Sequence, residues 1–315
     1  MALSATKWGS GDAVTKAAVD TQGFVPEVWS DEIVAAYKKS LVAANLFKKM
    51  NFKGKKGDKV YFPAPARGVA TAKAVETLVT LQGASGTAIG VNIDQHYEYS
   101  RLIEDLAEVQ ASSSMRRFYT DDAGYALATN IDTALIRLGR GAQGGNGTAA
   151  YDKAYLGGNG TTLYVDGGGG NVGTALTDEG FRRAIQRLDD ADVPMDARYF
   201  IIPPATRNTM MGLARFTEQA FVGDSSGSNT IRNGQIGDVY GVKVYVTTNA
   251  DTPTTTTSRI ALLFHPEAAV LVEQLGIRVQ TQYKQEYLST LLTADTLYGV
   301  GELRDTSMVA LAVPA

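Results

Sequence analysis

The chain has 315 residues, 44% of them hydrophobic, and a formal net charge of −3, so it is long enough for two domains and apolar enough for a buried core. It contains no cysteine, which excludes disulfides, thiolate zinc sites, iron–sulfur clusters and cysteine nucleophiles. The small negative charge argues against a protein whose main task is to coat nucleic acid. Because no apolar run approaches 18 residues and the N-terminus lacks a hydrophobic segment, we predict neither a membrane span nor a signal peptide, and we expect synthesis in a cytoplasm.

The first 50 residues divide into an arm and a helix. Residues 1–25 are small and polar, and we predict a mobile arm that orders only against another surface. A helix is predicted for residues 26–50. It opens at Pro26, where the missing N–H costs nothing, and its apolar stripe includes Trp29 and Leu41.

Residues 51–98 contain two extended segments on either side of a polar stretch. The first begins near Val60, and the second, residues 89–93, alternates apolar and polar side chains. Pro63 and Pro65 exclude the first from the middle of a sheet. A two-stranded ribbon is marginally stable alone, so we predict that it lies on another surface, with a neighbouring subunit favoured.

One long helix is predicted from about Ser114 to Leu138, with Leu127, Ile131 and Leu135 at helical spacing. Gly139 and Gly141 follow its end. A rod of about 25 residues spans roughly 38 Å, the width of a whole domain.

The segment of residues 141–173 is rich in glycine, and Gly-Gly-Asn-Gly-Thr occurs in it twice. It matches no phosphate-binding pattern, since it neither follows a clear strand nor opens a helix directly. We predict an exposed, mobile insertion with a short hairpin near Tyr164.

Residues 175–258 alternate between helices and strands. Thr177 is predicted to cap a helix, residues 199–202 to form a strand, Pro203 to start a helix reaching about Phe216, and residues 242–246 to form another strand. Residues 218–235 are predicted to be a polar loop.

The remainder, residues 259–315, is predicted to open with a strand at 260–264. The His-Pro-Glu sequence at 265–267 is predicted to turn it into a short helix through Val272. A closing antiparallel sheet of short strands follows.

No catalytic, cofactor-binding or metal-binding residues are predicted. His96 and His265 are the only histidines and are far apart in sequence, and GxxxxGK[ST] does not occur. The leading hypothesis is a non-enzymatic structural protein. Two alternatives stay open: a cytoplasmic α/β enzyme that uses residues 175–270, and a DNA-binding protein that uses the lysines of residues 48–59.

Residues 48–59, hereafter the basic segment, carry six lysines. We favour contact with acidic clusters of another subunit over a nucleic-acid patch, because charge pairs across an interface set register and association rate. The subunit-interface candidates are Lys53, Lys55, Lys56, Lys59, Phe62, Arg67, Lys73, Glu104, Asp105, Glu108, Asp121 and Asp122.

The order of these elements carries a resemblance. The sequence Gly-Asp-Lys-Val-Tyr-Phe-Pro begins at residue 57, Val-Asn-Ile-Asp at residue 91 leads towards the long helix, and Phe-His-Pro-Glu-Ala at residue 264 precedes the closing strands. The chain resembles major capsid proteins of tailed bacteriophages with the HK97-type fold, and within them is similar to those of short-tailed, T7-like phages.

The resemblance implies an α+β capsid fold with an extended E-loop, a long spine helix, a peripheral domain and an axial domain. The implied divisions are the E-loop at 51–98, the peripheral domain at 99–174 with the glycine-rich insertion at 141–173, the axial domain at 175–258, and a return to the peripheral domain at 259–315.

The implied function is self-assembly into hexamers and pentamers of an icosahedral shell in the virion. The shell would enclose double-stranded DNA without sequence-specific binding. The implied partners are identical subunits, a separate scaffolding protein, a portal and a decoration protein, with no cofactor and no membrane. The separate scaffold follows because only about 25 residues precede the first predicted helix.

Overall fold

The computed structural model describes residues 41–65, 68–79, 81, 83, 86–106, 115–145, 151–165, 172–213, 238–254 and 257–315. The predicted N-terminal arm and most of the predicted helix at 26–50 lie outside these residues, as does the predicted loop at 218–235. Within them, α1 (Ala43–Leu46) is a short helix. Residues 48–51 form a strand, β1 (Lys48–Asn51), instead of the end of a helix, because they pair in parallel with a strand of the C-terminal region.

The predicted long helix is confirmed as α2 (Met115–Arg137), followed by one 3₁₀ turn, Leu138–Arg140. Its apolar stripe is buried, with Leu127 and Leu135 at most 1% exposed. The helix packs against the strand that precedes it in the chain and against the C-terminal hairpin, which together supply the surface that a one-sided apolar helix requires.

The first sheet has four strands in the order β1–β10–β11–β4. Its other members are β4 (Gln95–Glu104), β10 (Ala269–Lys284) and β11 (Ser289–Glu302). The long antiparallel hairpin β10–β11 pairs Ala269 with Glu302 and Lys284 with Ser289. The predicted helix through Val272 is wrong: a single 3₁₀ turn leads directly into β10. Pairing on both sides and burial of Val270 and Val272 favour the extended form there.

A separate two-stranded sheet contains β2 (Lys59–Pro65) and β3 (Gly86–Asn92), paired antiparallel from end to end. We call residues 59–92 the ribbon. Both extended segments and the placement of the two prolines outside a larger sheet are as the sequence predicted. The ribbon begins directly on β11: a Cβ at Gly299 would lie 2.2 Å from the carbonyl oxygen of Asn92.

The second sheet has six strands in the order β5–β12–β9–β6–β8–β7. They are β5 (Tyr155–Leu156), β6 (Tyr199–Ile202), β7 (Asp238–Val239), β8 (Val242–Val246), β9 (Ser258–Phe264) and β12 (Met308–Pro314). Two helices accompany it, α3 (Asp178–Asp190) and α4 (Pro204–Met211). The predicted Thr177 cap is confirmed by its hydroxyl, which accepts from the Gly180 N–H. The second helix ends at Met211, earlier than predicted.

Most of the closing antiparallel pairing is confirmed, but the strands are longer than the sequence suggested. β10 and β11 have 16 and 14 residues, where short blocks were predicted. Bulges near Leu275 break the apolar alternation of β10 without ending its pairing.

The prediction of an exposed insertion at 141–173 is wrong for residues 151–165. Tyr151, Ala154 and Tyr164 are at most 1% exposed. A short hairpin near Tyr164 is confirmed by the bridge between Tyr155 and Leu163. This hairpin lies at the edge of the six-stranded sheet, where β5 pairs in parallel with β12.

Glycine permits this burial through close backbone contacts. A Cβ at Gly180 would lie 1.9 Å from the carbonyl oxygen of Gly157, and one at Gly173 would lie 2.3 Å from that of Val313. The glycines therefore bring the segment, β12 and the start of α3 together, instead of providing flexibility.

A buried polar network connects α2, which corresponds to the spine helix of the implied capsid fold, to the elements around it. The Asp132 carboxylate, fully buried, accepts from the N–H of Ala43 at 2.7 Å and from the Asn249 side chain at 2.9 Å. Asp251 accepts from Arg140 and from the Tyr151 hydroxyl at 2.8 Å.

No helix in the described part of the chain is long and apolar enough to cross a membrane.

Candidate assembly interface

The outer part of the ribbon exposes large apolar side chains. Residues 68–79 and 81, the ribbon tip, connect β2 to β3 without a helix or strand. Five large apolar side chains of the tip are between 70% and 96% exposed: Val69, Val75, Leu78, Val79 and Leu81. Scattered single exposures are ordinary, but a cluster of this kind marks an association surface.

The basic segment consists of β1, the first residue of β2 and, between them, a turn at residues 52–58 on the edge of the four-stranded sheet. Gln274 of β10 donates to the carbonyl oxygens of Lys55 and Gly57 at 3.0 and 3.1 Å, and Gly57 has a φ of +142° that favours glycine. The Lys55 ammonium lies 5.6 Å from the centre of the Phe52 ring. The candidates Lys53, Lys55 and Lys56 are exposed in this turn next to the β1 edge, and Lys59, also exposed, is the first residue of β2.

The described acidic candidates lie at the opposite edge of the same sheet. Glu104 and Asp105 are at the end of β4, and Asp121 and Asp122 are on the N-terminal half of α2, which packs against β4. The Tyr99 hydroxyl donates to Asp122 at 3.0 Å. Because β1 and β4 are the two outer strands of this sheet, one subunit separates its basic candidates from its acidic ones.

The remaining candidates have different surroundings. Phe62 is half-buried and packs on its own chain, in a cluster with Val91 and Val272. Lys73 is exposed in the ribbon tip. Arg67 and Glu108 lie outside the described residues.

Sequence reasoning missed the outer half of β10 as a surface. Residues 277–283 are exposed throughout, whereas residues 269–272 of the same strand are buried. The period-two pattern of Ile277, Val279 and Tyr283 was visible in the sequence. The pattern predicts a short strand, and nothing in it indicates that the strand extends past its neighbour β1.

Two hydrogen-bonded carboxylates strengthen this outer region. Arg278 donates to both oxygens of Asp295 at 2.7 and 2.8 Å, and this bidentate contact, with His96 nearby, lowers the pKa of Asp295. The Tyr283 hydroxyl donates to Asp105 at 2.9 Å, and that hydrogen bond raises the pKa of Tyr283. The hairpin and the end of β4 are therefore held in register by side chains as well as by the main chain.

Glu302, at the end of β11, has an unusual environment. Its carboxylate lies against Gly141, just beyond the spine helix, where a Cβ would be 2.1 Å from the Glu302 Oε2. Burial, with a smaller contribution from Asp305, raises the pKa of Glu302 to about 7. Its Oε1 is buried with no hydrogen-bond partner in the described part of the chain.

Among the described residues, no three histidine, aspartate or glutamate side chains are grouped so that they could hold a metal ion. The surface combines exposed apolar side chains with separated charges, which suits association between macromolecules.

Comparison with known proteins supports a specific family. A family model described as phage capsid protein matches residues 114–303, more than half of the chain. A search of curated proteins found no match.

Solved structures share the fold over nearly the whole chain. The structure titled Mycobacterium phage Che8 is 23% identical with a TM-score of 0.72, covering 91% of this chain and 97% of that one. The capsid of cyanophage P-SCSP1u is 17% identical with a TM-score of 0.70, covering 93% and 94%. The structure titled Gordonia phage Cozz is 14% identical with a TM-score of 0.65, covering 98% of each chain. The chain therefore belongs to the phage capsid protein family and has the α+β, HK97-type capsid fold that the sequence predicted.

Proposed function

We propose that this protein is the major capsid protein of a tailed phage, of the type found in short-tailed, T7-like phages. It assembles into hexamers and pentamers of an icosahedral shell that encloses double-stranded DNA, and it acts without catalysis. The observation that carries the proposal is the ribbon tip, whose large apolar side chains are 70–96% exposed in the single subunit. Exposed apolar side chains grouped in this way mark a surface for association with another molecule.

The positions of the charges support head-to-tail contacts between copies. The lysine-bearing turn at residues 52–58 lies next to β1 and the acidic candidates lie next to β4, the two outer strands of one sheet, so the basic edge of one copy can meet the acidic edge of the next. Contacts between two different patches form rings when the rotation closes. Charge pairing of this kind fixes register and speeds encounter more than it adds affinity.

The proposal divides the chain as the capsid resemblance implies. The ribbon, within the E-loop assigned to residues 51–98, extends over a neighbouring subunit. The spine helix and four-stranded sheet form the peripheral domain, and residues 175–258 form the axial domain. Assembly takes place in the host bacterial cytoplasm with a separate scaffolding protein. A portal and a decoration protein complete the virion, and the DNA is enclosed without sequence-specific binding.

Electron microscopy with size-exclusion light scattering tests the proposal. The purified chain is measured alone and with the candidate scaffolding protein encoded by the same genome. Rings, tubes or closed shells are the expected result. A strict monomer at high concentration, with the scaffold present, would overturn the proposal.

Charge reversal tests the head-to-tail arrangement. The double variant Lys55→Glu with Lys56→Glu is expected to assemble more slowly than wild type, and most clearly at low salt, where charges are least screened. The variant Lys153→Glu, also at an exposed lysine, is the matched control. Equal assembly rates for both variants would contradict the contact.

A further inference from the structure

Two short crossings connect the four-stranded sheet to the six-stranded sheet. Residues 265–268 lead from β9 into β10, and residues 303–307 lead from β11 into β12. The crossings lie side by side, because the carbonyl oxygen of Ala268 accepts from the N–H groups of Leu303 and Arg304 at 2.8 and 3.1 Å. We call these two crossings the joint, since a rotation of one sheet relative to the other must change their backbone angles.

The end of the spine helix contacts this joint. The side-chain amide of Gln143 donates to the carbonyl oxygens of Thr306 and Met308 at 3.1 and 2.9 Å. Gln143 has a φ of +58°, in the left-handed region that residues other than glycine rarely adopt. The two hydrogen bonds therefore hold a strained backbone in place, and opening the contact would release that strain.

Glu302 lies between the end of the spine helix and the joint. Its carboxyl group is so close to Gly141 that a Cβ at that glycine would overlap it. The Oε1 atom is buried and has no hydrogen-bond partner in the described part of the chain. An ionised carboxylate that lacks a donor in a buried position costs free energy, whereas the neutral acid costs less. The site therefore suits the neutral acid.

The surrounding charges also favour the neutral acid. Burial is the larger cause that raises the pKa of Glu302 to about 7, and the negative charge of Asp305 in the adjacent crossing adds to it. Arg140, a cation at the helix end, donates from two nitrogens to Asp251 and so compensates a different carboxylate. A rise in pH through 7 consequently places an uncompensated charge between the helix end and the joint.

His265, the histidine of the joint, responds to pH in the opposite direction. Its Nδ1 accepts from the N–H of Glu267 at 3.3 Å, which requires an Nδ1 without a proton. Burial is the main cause that lowers the pKa of His265 below its ordinary 6.5; Glu267 opposes the change, and Arg198 and Arg304 add to it. The stability from neutral His265 is complete above pH 6.5 and is lost as the pH falls. His265 therefore does not loosen the joint as the pH rises.

We propose that Glu302 is a proton-operated latch of the subunit: the neutral acid keeps the end of the spine helix closed on the joint, and the carboxylate lets this contact open. Opening gives the ionised group access to water and releases the left-handed backbone of Gln143. The angle between the two sheets is then held more firmly in mildly acidic solution than above pH 7. The latch belongs to the single subunit and does not depend on shell assembly, so the two proposals can fail separately.

Hydrogen exchange of the purified, unassembled chain tests the latch, with rates corrected for the intrinsic effect of pH. Peptides that cover residues 138–145 and 302–308 are compared at pH 6 and pH 8. We expect a loss of protection of roughly three- to tenfold at pH 8, the factor that a pKa change from 4.5 to about 7 allows after solvent screening. Peptides from α3 report on the subunit as a whole and should keep their protection.

Three variants identify the group that takes up the proton. Glu302→Gln cannot ionise, and its protection at the joint is expected to be equal at the two pH values. Glu267→Gln, at an exposed carboxyl of the neighbouring crossing, is the matched control and should lose protection as wild type does. His265→Asn, whose amide oxygen can still accept from the N–H of residue 267, should also lose it. No loss in wild type, or a wild-type loss in Glu302→Gln, overturns the latch.

Asp305→Asn gives a measurement that does not depend on the folding of Glu302→Gln. Its amide oxygen can still accept from the N–H of Thr306, the hydrogen bond that the carboxylate makes at 2.8 Å. The pH at the midpoint of the protection loss is expected to fall, because a neighbouring negative charge no longer opposes ionisation of Glu302. A midpoint that is unchanged or higher overturns the assignment of the proton to Glu302.

Discussion

The ribbon and the glycine-rich segment look alike in sequence but behave in opposite ways in the structure. Both are long segments rich in small residues, and each contains a pair of strands or bridged residues. The ribbon leaves its tip exposed, with Leu78 at 96%, whereas the glycine-rich segment buries Tyr151 and Tyr164 almost completely. The difference shows that glycine content alone does not distinguish a segment that stays exposed from one that packs closely against its own subunit. What decides is whether the fold provides a surface within reach.

The two regions consequently have different tasks. The glycine-rich segment stabilises the subunit, because it fills the edge of the six-stranded sheet and contacts the start of α3. The ribbon tip contributes little to the subunit and, in our proposal, contributes to the shell. Substitutions that separate subunit stability from assembly sharpen this comparison, and four are described from the largest expected effect on stability to the smallest.

The largest effect is expected for Gly180→Ala. The new Cβ would lie 1.9 Å from the carbonyl oxygen of Gly157, and backbone on both sides must shift. We expect a loss of about 3 kcal/mol or more in the free energy of unfolding, measured with urea. Gly83→Ala in the ribbon is the control, because no atom lies within 4 Å of its Cβ position. Equal effects at the two positions would contradict the comparison.

An effect of pH on stability is expected from Glu302, whose carboxylate lies against Gly141 at the start of the glycine-rich segment. Its folded-state pKa of about 7 lies above the ordinary 4.5, so the folded protein favours the protonated acid. The resulting stability is complete below pH 4.5 and is lost as the pH rises through 7. We expect a loss of roughly 1–2 kcal/mol between pH 5 and 8, because the side chain is only partly buried and solvent screening reduces the effect of the full shift.

The variant Glu302→Gln tests this assignment, since it cannot ionise. Its urea midpoint is expected to change less with pH than that of wild type. Glu76→Gln in the exposed ribbon tip should retain the wild-type pH dependence. A wild-type slope in Glu302→Gln would show that another group is responsible.

An intermediate effect is expected for Tyr151→Phe. The change removes a hydroxyl that donates to the nearly buried Asp251 at 2.8 Å, although Arg140 still pairs with this carboxylate. We expect a loss of about 1–2 kcal/mol in urea unfolding. Tyr61→Phe in the ribbon, at a side chain 64% exposed, should change stability by less than about 0.5 kcal/mol.

The smallest effect on the subunit is expected for Leu78→Ser. Its side chain is 96% exposed, so the free energy of unfolding of the monomer should stay within about 0.5 kcal/mol of wild type. Shell formation, followed by light scattering, should nevertheless fall sharply. A stability loss with normal assembly would reverse the roles assigned to the two regions.

Much of the fold was predictable because it depends on local pattern. The spine helix follows from its helical period, the α3 cap from Thr177, and the ribbon from two alternating segments with their prolines. The charged interface candidates were predictable only as a set. Their separation onto opposite edges of one sheet depends on a strand order that the sequence does not contain.

The sequence by itself indicated the family, because its order of elements resembles that of tailed-phage capsid proteins, and the family model and the solved structures agree with that resemblance. Only the tertiary structure decided which excursion is buried and which is exposed. Burial of Tyr151 depends on Arg140, Asp251 and a sheet edge contributed by β12 at the far end of the chain. Contacts over such separations in sequence leave no local periodicity, so no reading of neighbouring residues can reveal them.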